Sequence, residues 1–177
     1  MEYGVLLYFD EESNKYIENL RNKVTENDVN NHTIKGGIRP HITIASFETK
    51  DEEFLEKLKF FLQDEITFDV VFGSIGIFPF ENNVVYLAPV LNSNLYNIHN
   101  RFYQYFNNCG YEYNSHYKPQ SWVPHCTIAS HLSTKEILNT IVTLREDFKP
   151  IKSKISYIGI IEGNPAKELV SYRLKNG

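Results

Sequence analysis

Residues 40–46 read Pro-His-Ile-Thr-Ile-Ala-Ser, and residues 124–130 read Pro-His-Cys-Thr-Ile-Ala-Ser. Six of the seven positions are identical. An identity of this kind within one chain marks an internal repeat, so each half must build the same supersecondary unit. The likeness continues beyond the heptads. Thr49 follows His41 by eight residues with Glu52 three further on, and Ser133 follows His125 by eight with Glu136 three further on. Both pairs have the spacing of a capping box, in which a hydroxyl caps a helix start and the glutamate reaches back. Helical apolar spacing follows each: Phe54, Leu55, Leu58, Phe61 and Leu62, then Ile137, Leu138, Ile141 and Leu144.

The segments before the heptads also match. Val5 to Phe9 reads as a strand, then a helix with Ile17, Leu20 and Val24 on one face, and Asp10 as its cap. Val84 to Val90 reads as a strand, then a helix with Leu95, Ile98, Phe102 and Phe106 on one face, capped by Asn92 or Ser93. Further strands are expected at Ile66–Phe72, Ile75–Phe78, Ile151–Ile161 and Leu169–Leu174, with a hairpin connection at Asn82-Asn83. Weaker breaks fall at Gly36-Gly37, Asn107–Gly110 and Gly163-Asn164-Pro165. No Ser/Gly-rich linker divides the chain. The expectation is a single α+β domain over residues 1–177, made of two interleaved pseudo-twofold lobes. Two mainly antiparallel sheets, flanked by helices, would enclose a central groove.

Composition narrows what such a groove can bind. With 42% hydrophobic residues, including 12 Phe and 12 Tyr, a sizeable core is within reach. Lys plus Arg number 18 against 22 Asp plus Glu, a formal net charge of −4. That balance argues against coating long nucleic acid, so a nucleic-acid ligand would be short or gripped at one local site. No apolar run is long enough to span a membrane, and Met1-Glu2-Tyr3-Gly4 lacks the basic and apolar segments of a signal peptide. Cys109 and Cys126 form neither a disulfide framework nor a zinc finger. A cytoplasmic monomer without membrane contact is expected.

Strand alternation gives the heptads their chemistry. His41 and Thr43 share one face and Ile42 and Ile44 the other; His125 and Thr127 likewise oppose Cys126 and Ile128. Two imidazoles and two hydroxyls meeting across a groove suit a phosphodiester. One histidine can accept a proton from water, the other can protonate the leaving alkoxide, and the hydroxyls can donate to the non-bridging oxygens. No metal is required. Strand histidines satisfied by local hydrogen bonds are the blander reading, but the matched contexts weigh against it. Cys126 falls on the apolar face and reads as a buried structural residue. Gly73-Ser74-Ile75-Gly76 is too short for a phosphate-binding loop and lacks the following lysine. Arg39, extended before Pro40, is a candidate phosphate contact. The aromatic segment 111–122, with His116, Lys118 and Trp122, is a candidate base-stacking loop, or else a packing loop. His32, His99 and His131 receive no role.

The duplicated Pro-His-x-Thr-apolar-small motif, in a chain of this length, resembles the 2H phosphoesterase superfamily. Within it the chain is similar to the 2′-5′ RNA ligase / RNA 2′,3′-cyclic phosphodiesterase family, over nearly its whole length. The resemblance implies a bilobal fold with the site in the central groove, acting on cyclic phosphodiesters or 2′-5′ linkages without metal or cofactor. It implies His41, Thr43, His125 and Thr127 as the catalytic set, with His41 the proton donor to the leaving ribose oxygen and His125 the acceptor from water. The expected activity is opening of 2′,3′-cyclic phosphate ends, on RNA or nucleotides, to 2′-phosphates, with reversible 2′-5′ ligation beside it. Alternatives are a 2′-5′ oligonucleotide or ADP-ribose cyclic phosphodiesterase, or a groove that binds a nucleotide or RNA end without turnover. Two departures bear on substrate contacts. Some members carry an aromatic and a basic residue before the first histidine, where this chain has Gly36-Gly37-Ile38-Arg39, and many carry Arg after the second motif, where it has Ala129-Ser130-His131.

Overall fold

The computed structural model describes residues 2–27, 29, 32–79, 82–163 and 165–177. The first half runs β1 (Glu2–Phe9), α1 (Glu11–Glu26), a short α2 (His32–Lys35), β2 (His41–Glu48) and α3 (Phe54–Leu62). After the long strand β3 (Phe68–Phe78) the plan recurs as β4 (Val84–Pro89), α4 (Ser93–Tyr105), β5 (Glu112–Tyr113), a 3-10 turn at Ser115–Tyr117, β6 (Cys126–Ala129) and α5 (Thr134–Asp147). The chain ends on β7 (Ile151–Glu162) and β8 (Lys167–Arg173). Among the described residues no helix is long and apolar enough to cross a membrane.

Capping chemistry sets several helix starts. The Asp10 side chain accepts from the Ser13 N–H and Asn92 accepts from the Leu95 N–H, each satisfying one of the donors a helix leaves open. Ser133 and Glu136 form a full reciprocal capping box. Its expected counterpart at Thr49 and Glu52 does not form. Instead Thr49 Oγ1 accepts from the Asp51 N–H and Asp51 Oδ1 accepts from the Glu53 N–H, and α3 begins one turn later with Glu53 at its cap and no side-chain cap bond. The first of these local bonds occupies the Thr49 hydroxyl oxygen that a capping box would have needed.

All named strand pairs are antiparallel, in the order β5-β2-β1-β7-β3-β4-β6, with β8 also on β7. Ile155 pairs with both Phe9 of β1 and Phe68 of β3, so β3 takes the edge of β7 opposite β1. Further along, β8 takes that same edge from Tyr157 to Glu162. The two sheets expected from the repeat are thus two arms joined through β7. The strands expected at Ile66–Phe72 and Ile75–Phe78 are one strand, β3, with an irregularity between Phe72 and Ser74 opposite β4; Ile66 is left in an isolated bridge to Lys175. Asn83, in the expected hairpin connection, has φ 41°. At the break around residue 164, Gly163 has φ 76° and Asn164 lies outside the described residues.

One face of this sheet carries the helices and the core. Val5, Leu7, Ile42 and Ile44 are fully buried against Ile17 and Val24 of α1, Leu58 of α3 and Ile98 and Phe102 of α4. Each such side chain contributes roughly 1.5–3 kcal/mol of transfer free energy. The opposite face carries Leu6 and Tyr8 of β1, whose register partners on β2 are Thr43 and His41.

Candidate active site

The burial pattern follows the expected alternation. Ile42 and Ile44 are fully buried while His41 and Thr43 are part-exposed; Cys126 and Ile128 are fully buried while His125 and Thr127 are part-exposed. β2 lies next to one end of the strand order and β6 at the other, yet they approach each other, so the sheet curls until the two motifs meet. Three contacts mark the meeting. The buried Cys126 sulfur lies within hydrogen-bond reach of the His41 backbone N–H. The Trp122 indole N–H donates to the Thr43 carbonyl at 2.9 Å. From α1, Arg21 donates twice to the Thr127 carbonyl, at 3.0 and 2.7 Å, and once to the Ile38 carbonyl at 3.2 Å.

Both histidines are held in the same way. His41 Nδ1 donates to the Arg39 carbonyl at 2.7 Å, and His125 Nδ1 donates to the Val123 carbonyl at 2.8 Å. A carbonyl only accepts, so each Nδ1 carries its hydrogen and each Nε2 is left for chemistry. Aromatic rings brace both. Tyr8 meets the His41 ring edge-on at 6.1 Å, while Phe78 meets the His125 ring edge-on at 4.9 Å and Tyr86 lies 5.4 Å from it. Each tyrosine is seated by a glycine on the neighbouring strand. A Cβ on Gly159 would sit 2.1 Å from the Tyr8 ring, and one on Gly76 would sit 2.3 Å from the Tyr86 ring. Gly76, which reads from sequence as part of a failed phosphate loop, is there to admit Tyr86.

Electrostatics distinguish the two histidines. Burial pulls His41 down to about 4, with the charges of Arg21, His125 and Arg39 adding to the fall and the Arg39 carbonyl bond opposing it. Burial also lowers His125, opposed by its bond to Val123. The charge of His125 also acts on His41 through space, which places the two motifs within electrostatic range of each other.

Arg39 is engaged inside the protein. Its guanidinium lies 3.7 Å over the Tyr8 ring and donates to Glu168 Oε1 at 3.2 Å and Ser171 Oγ at 2.8 Å, while the Tyr8 hydroxyl donates to Glu168 Oε2 at 2.7 Å. It stands next to His41 as a braced cation rather than a free arm. Trp122 is a packing residue as well as a donor: its ring stacks on His99 at 4.0 Å, and His99 Nε2 donates to the Tyr117 carbonyl at 2.8 Å. The Tyr117 hydroxyl lies within reach of the Thr43 side chain. His116 and Lys118 are exposed, and no hydrogen bond joins their side chains to the motif residues among the described residues. His32 and His131 pack ring to ring at 5.0 Å beyond the end of β6.

Arg21, Tyr8, Phe78, Tyr86 and Glu168 are absent from the expected site. Only Arg21 carried a local signal, since it shares a helix face with Ile17, Leu20 and Val24, where a cation is out of place.

A profile of the 2′-5′ RNA ligase superfamily matches residues 9–165. The chain belongs to that superfamily. Both His-x-Thr motifs lie within the match, as do Arg21, Arg39, Phe78, Tyr86 and Trp122. Solved structures of similar fold include E. coli LigT complexed with 3′-AMP, at a TM-score of 0.65 and 12% identity over 98% of this chain and 97% of that one. TT0787 of Thermus thermophilus gives 0.61 and 12% over 99% of each chain. E. coli LigT complexed with NADP+ gives 0.59 and 11% over 99% of this chain and 98% of that one. Identities this low establish the shared fold. No match is found among curated proteins. Membership of the 2′-5′ RNA ligase superfamily supports an enzyme of the phosphoesterase or ligase type.

Proposed function

We propose that this 2′-5′ RNA ligase superfamily member is a metal-independent phosphodiesterase that opens 2′,3′-cyclic phosphates, on nucleotides or short RNA ends, to 2′-phosphates. The observation that carries the reading is the matched anchoring of His41 and His125 through Nδ1, which leaves both Nε2 atoms without a hydrogen-bond partner among the described residues, on two motif strands that approach each other. Water attacks the phosphorus as one imidazole takes its proton, the bond to O3′ breaks, and the other imidazole delivers a proton to O3′. Thr43 and Thr127 hydroxyls donate to the non-bridging oxygens as charge builds on them. With a ribose 5′-hydroxyl attacking in place of water, the same forward steps form a 2′-5′ linkage, and their reversal cleaves it. LigT, complexed with 3′-AMP and with NADP+, supports a nucleotide as the ligand. The substrate would meet a cytoplasmic monomer.

The family resemblance assigns proton donation to His41. The charges around it favour the exchange of roles. Arg21 and Arg39 both act against a proton on His41, so the more populated singly protonated state has His41 neutral and His125 charged. We therefore assign His41 as acceptor and His125 as donor. A panel of 2′,3′-cyclic nucleotides, RNA 2′,3′-cyclic ends, 2′-5′ dinucleotides and ADP-ribose cyclic phosphate, incubated in EDTA and followed by phosphorus NMR, tests the reading. A 2′-phosphate from the cyclic ends supports it. Turnover confined to the other substrates replaces it with the neighbouring activity, and tight binding without turnover reduces the groove to a binding module.

A further inference from the structure

Arg21 is 3% exposed and sits on the core-facing side of α1. Its guanidinium donates three hydrogen bonds to backbone carbonyls, two to Thr127 and one to Ile38. No carboxylate forms an ion pair with it among the described residues; the ion pairs there belong to other cations. Glu18, three residues earlier on α1, acts on it only through space. A buried charge is costly unless it is paired, so a guanidinium left on neutral acceptors is an unbalanced positive charge built into the fold. It also lies between the two motifs. Thr127 is in the second motif strand, and Ile38 is three residues before His41.

We propose that Arg21 is a positioning residue for the hydrolysis: it fixes the second motif strand against the entry to the first and places a permanent cation behind the groove, whose counter-ion is the substrate phosphate. The proposal rests on the phosphodiester reading for the identity of the anion, and on geometry alone for the clamp. The planar fork suits the clamp, because two of its N–H groups meet one carbonyl while a third reaches another strand's approach. A lysine keeps the charge and loses the fork; a methionine keeps much of the stem and loses both.

The groups around His41 define what the cation does there. Arg39 approaches from its own strand, Arg21 from α1, His125 from the second motif, the Tyr8 ring from β1, and the Cys126 sulfur at its backbone N–H. Glu168 of β8 is one contact removed, bonded to both Tyr8 and Arg39. Arg39 therefore has a carboxylate bonded to it within the protein, and Arg21 is the cation that acts on His41 without one. Its loss shifts the balance toward a protonated His41.

The test compares wild type, Arg21→Lys and Arg21→Met. Imidazole NMR titration of His41 needs no substrate, so it reports on the clamp and charge even if the cyclic phosphate reading fails. Arg21→Met is expected to raise the His41 midpoint, whereas Arg21→Lys leaves it near wild type. Inorganic phosphate is expected to raise the melting temperature of wild type and Arg21→Lys more than that of Arg21→Met. On 2′,3′-cyclic nucleotides both variants are expected to lose about 10²-fold in kcat, because both lose the spacing that the fork sets. An unmoved His41 midpoint in a folded Arg21→Met, or in Arg21→Lys a midpoint raised as far as that of methionine, overturns the electrostatic role. Full kcat in Arg21→Lys overturns the clamp. If Arg21→Met does not fold, Arg21→Gln, which also removes the charge, takes its place in the titration, and Arg21→Lys still decides the clamp through its kcat. Wild type that shows these titrations but turns over no cyclic phosphate overturns the proposed function and leaves the charge assignment standing.

Discussion

The Trp122 indole N–H donates to the Thr43 carbonyl at 2.9 Å, so the approach to the second His-x-Thr motif is fastened to the strand of the first. The opposite face of that approach is held too, since Trp122 stacks on the buried His99. Groove width is therefore set by packing between the halves of the repeat. Trp122→Phe keeps an aromatic ring and removes the donor. It is expected to cost about 1 kcal/mol in denaturant unfolding, the usual worth of one such bond, and to lower kcat more than it raises KM.

Activity against pH follows from the shifts of the two histidines. An acceptor His41 must be neutral, and it gains its proton only as pH falls through about 4. A donor His125 must be charged, and burial makes it lose its proton below the ordinary value of about 6.5. The free enzyme is therefore competent between these limits, and kcat/KM is expected to trace a bell with its maximum on the acid side of about 6.5. A bound phosphate anion favours the charged imidazoles, so the kcat profile is expected at higher pH. A kcat/KM maximum above about pH 7 would contradict these assignments.

Leaving-group dependence separates donor from acceptor. A nucleoside phosphodiester with a p-nitrophenolate leaving group needs little protonation, so His125→Ala is expected to recover on it relative to the cyclic substrate, while His41→Ala is not. Recovery of His41→Ala alone would return the donor role to His41.

The paired glycines behind the tyrosines give a further check. Gly76→Ala and Gly159→Ala each drive a methyl into a ring held against a motif histidine. Each is expected to cost about 1–3 kcal/mol of stability, with a fall in kcat in the folded fraction. The change is measured by thermal unfolding and kinetics on the same preparations.

Much of this was legible from local chemistry. The alternation that buries Ile42 and Cys126 and exposes His41 and His125 is written in each heptad, as are the helix faces of α1 and α4 and the caps at Asp10, Asn92 and Ser133. What was not legible depends on distant register. Tyr8 reaches His41 because β1 pairs with β2, and Tyr86 reaches His125 because β3, β4 and β6 lie side by side. Glu168 reaches Arg39 from β8, 129 residues away. No spacing rule relates such residues along the chain. The failed cap before α3 shows the reverse: the spacing of Thr49 and Glu52 was right, and a nearer acceptor, Asp51, changed the outcome.

That contrast is itself measurable. Ser133→Ala breaks a formed capping box and is expected to cost about 1 kcal/mol, with turnover unchanged. Glu52→Ala, at the position where no box forms, is expected to stay within about 0.5 kcal/mol of wild type.

The most direct measurement is kcat/KM on a 2′,3′-cyclic nucleotide in EDTA for wild type, His41→Ala, His125→Ala and the double variant. Turnover by wild type, a loss of about 10²–10⁴-fold in each single variant, and a double variant little worse than either are the results predicted for two imidazoles acting on one phosphate. Wild-type activity that needs a metal, or full activity in either single variant, would contradict the account.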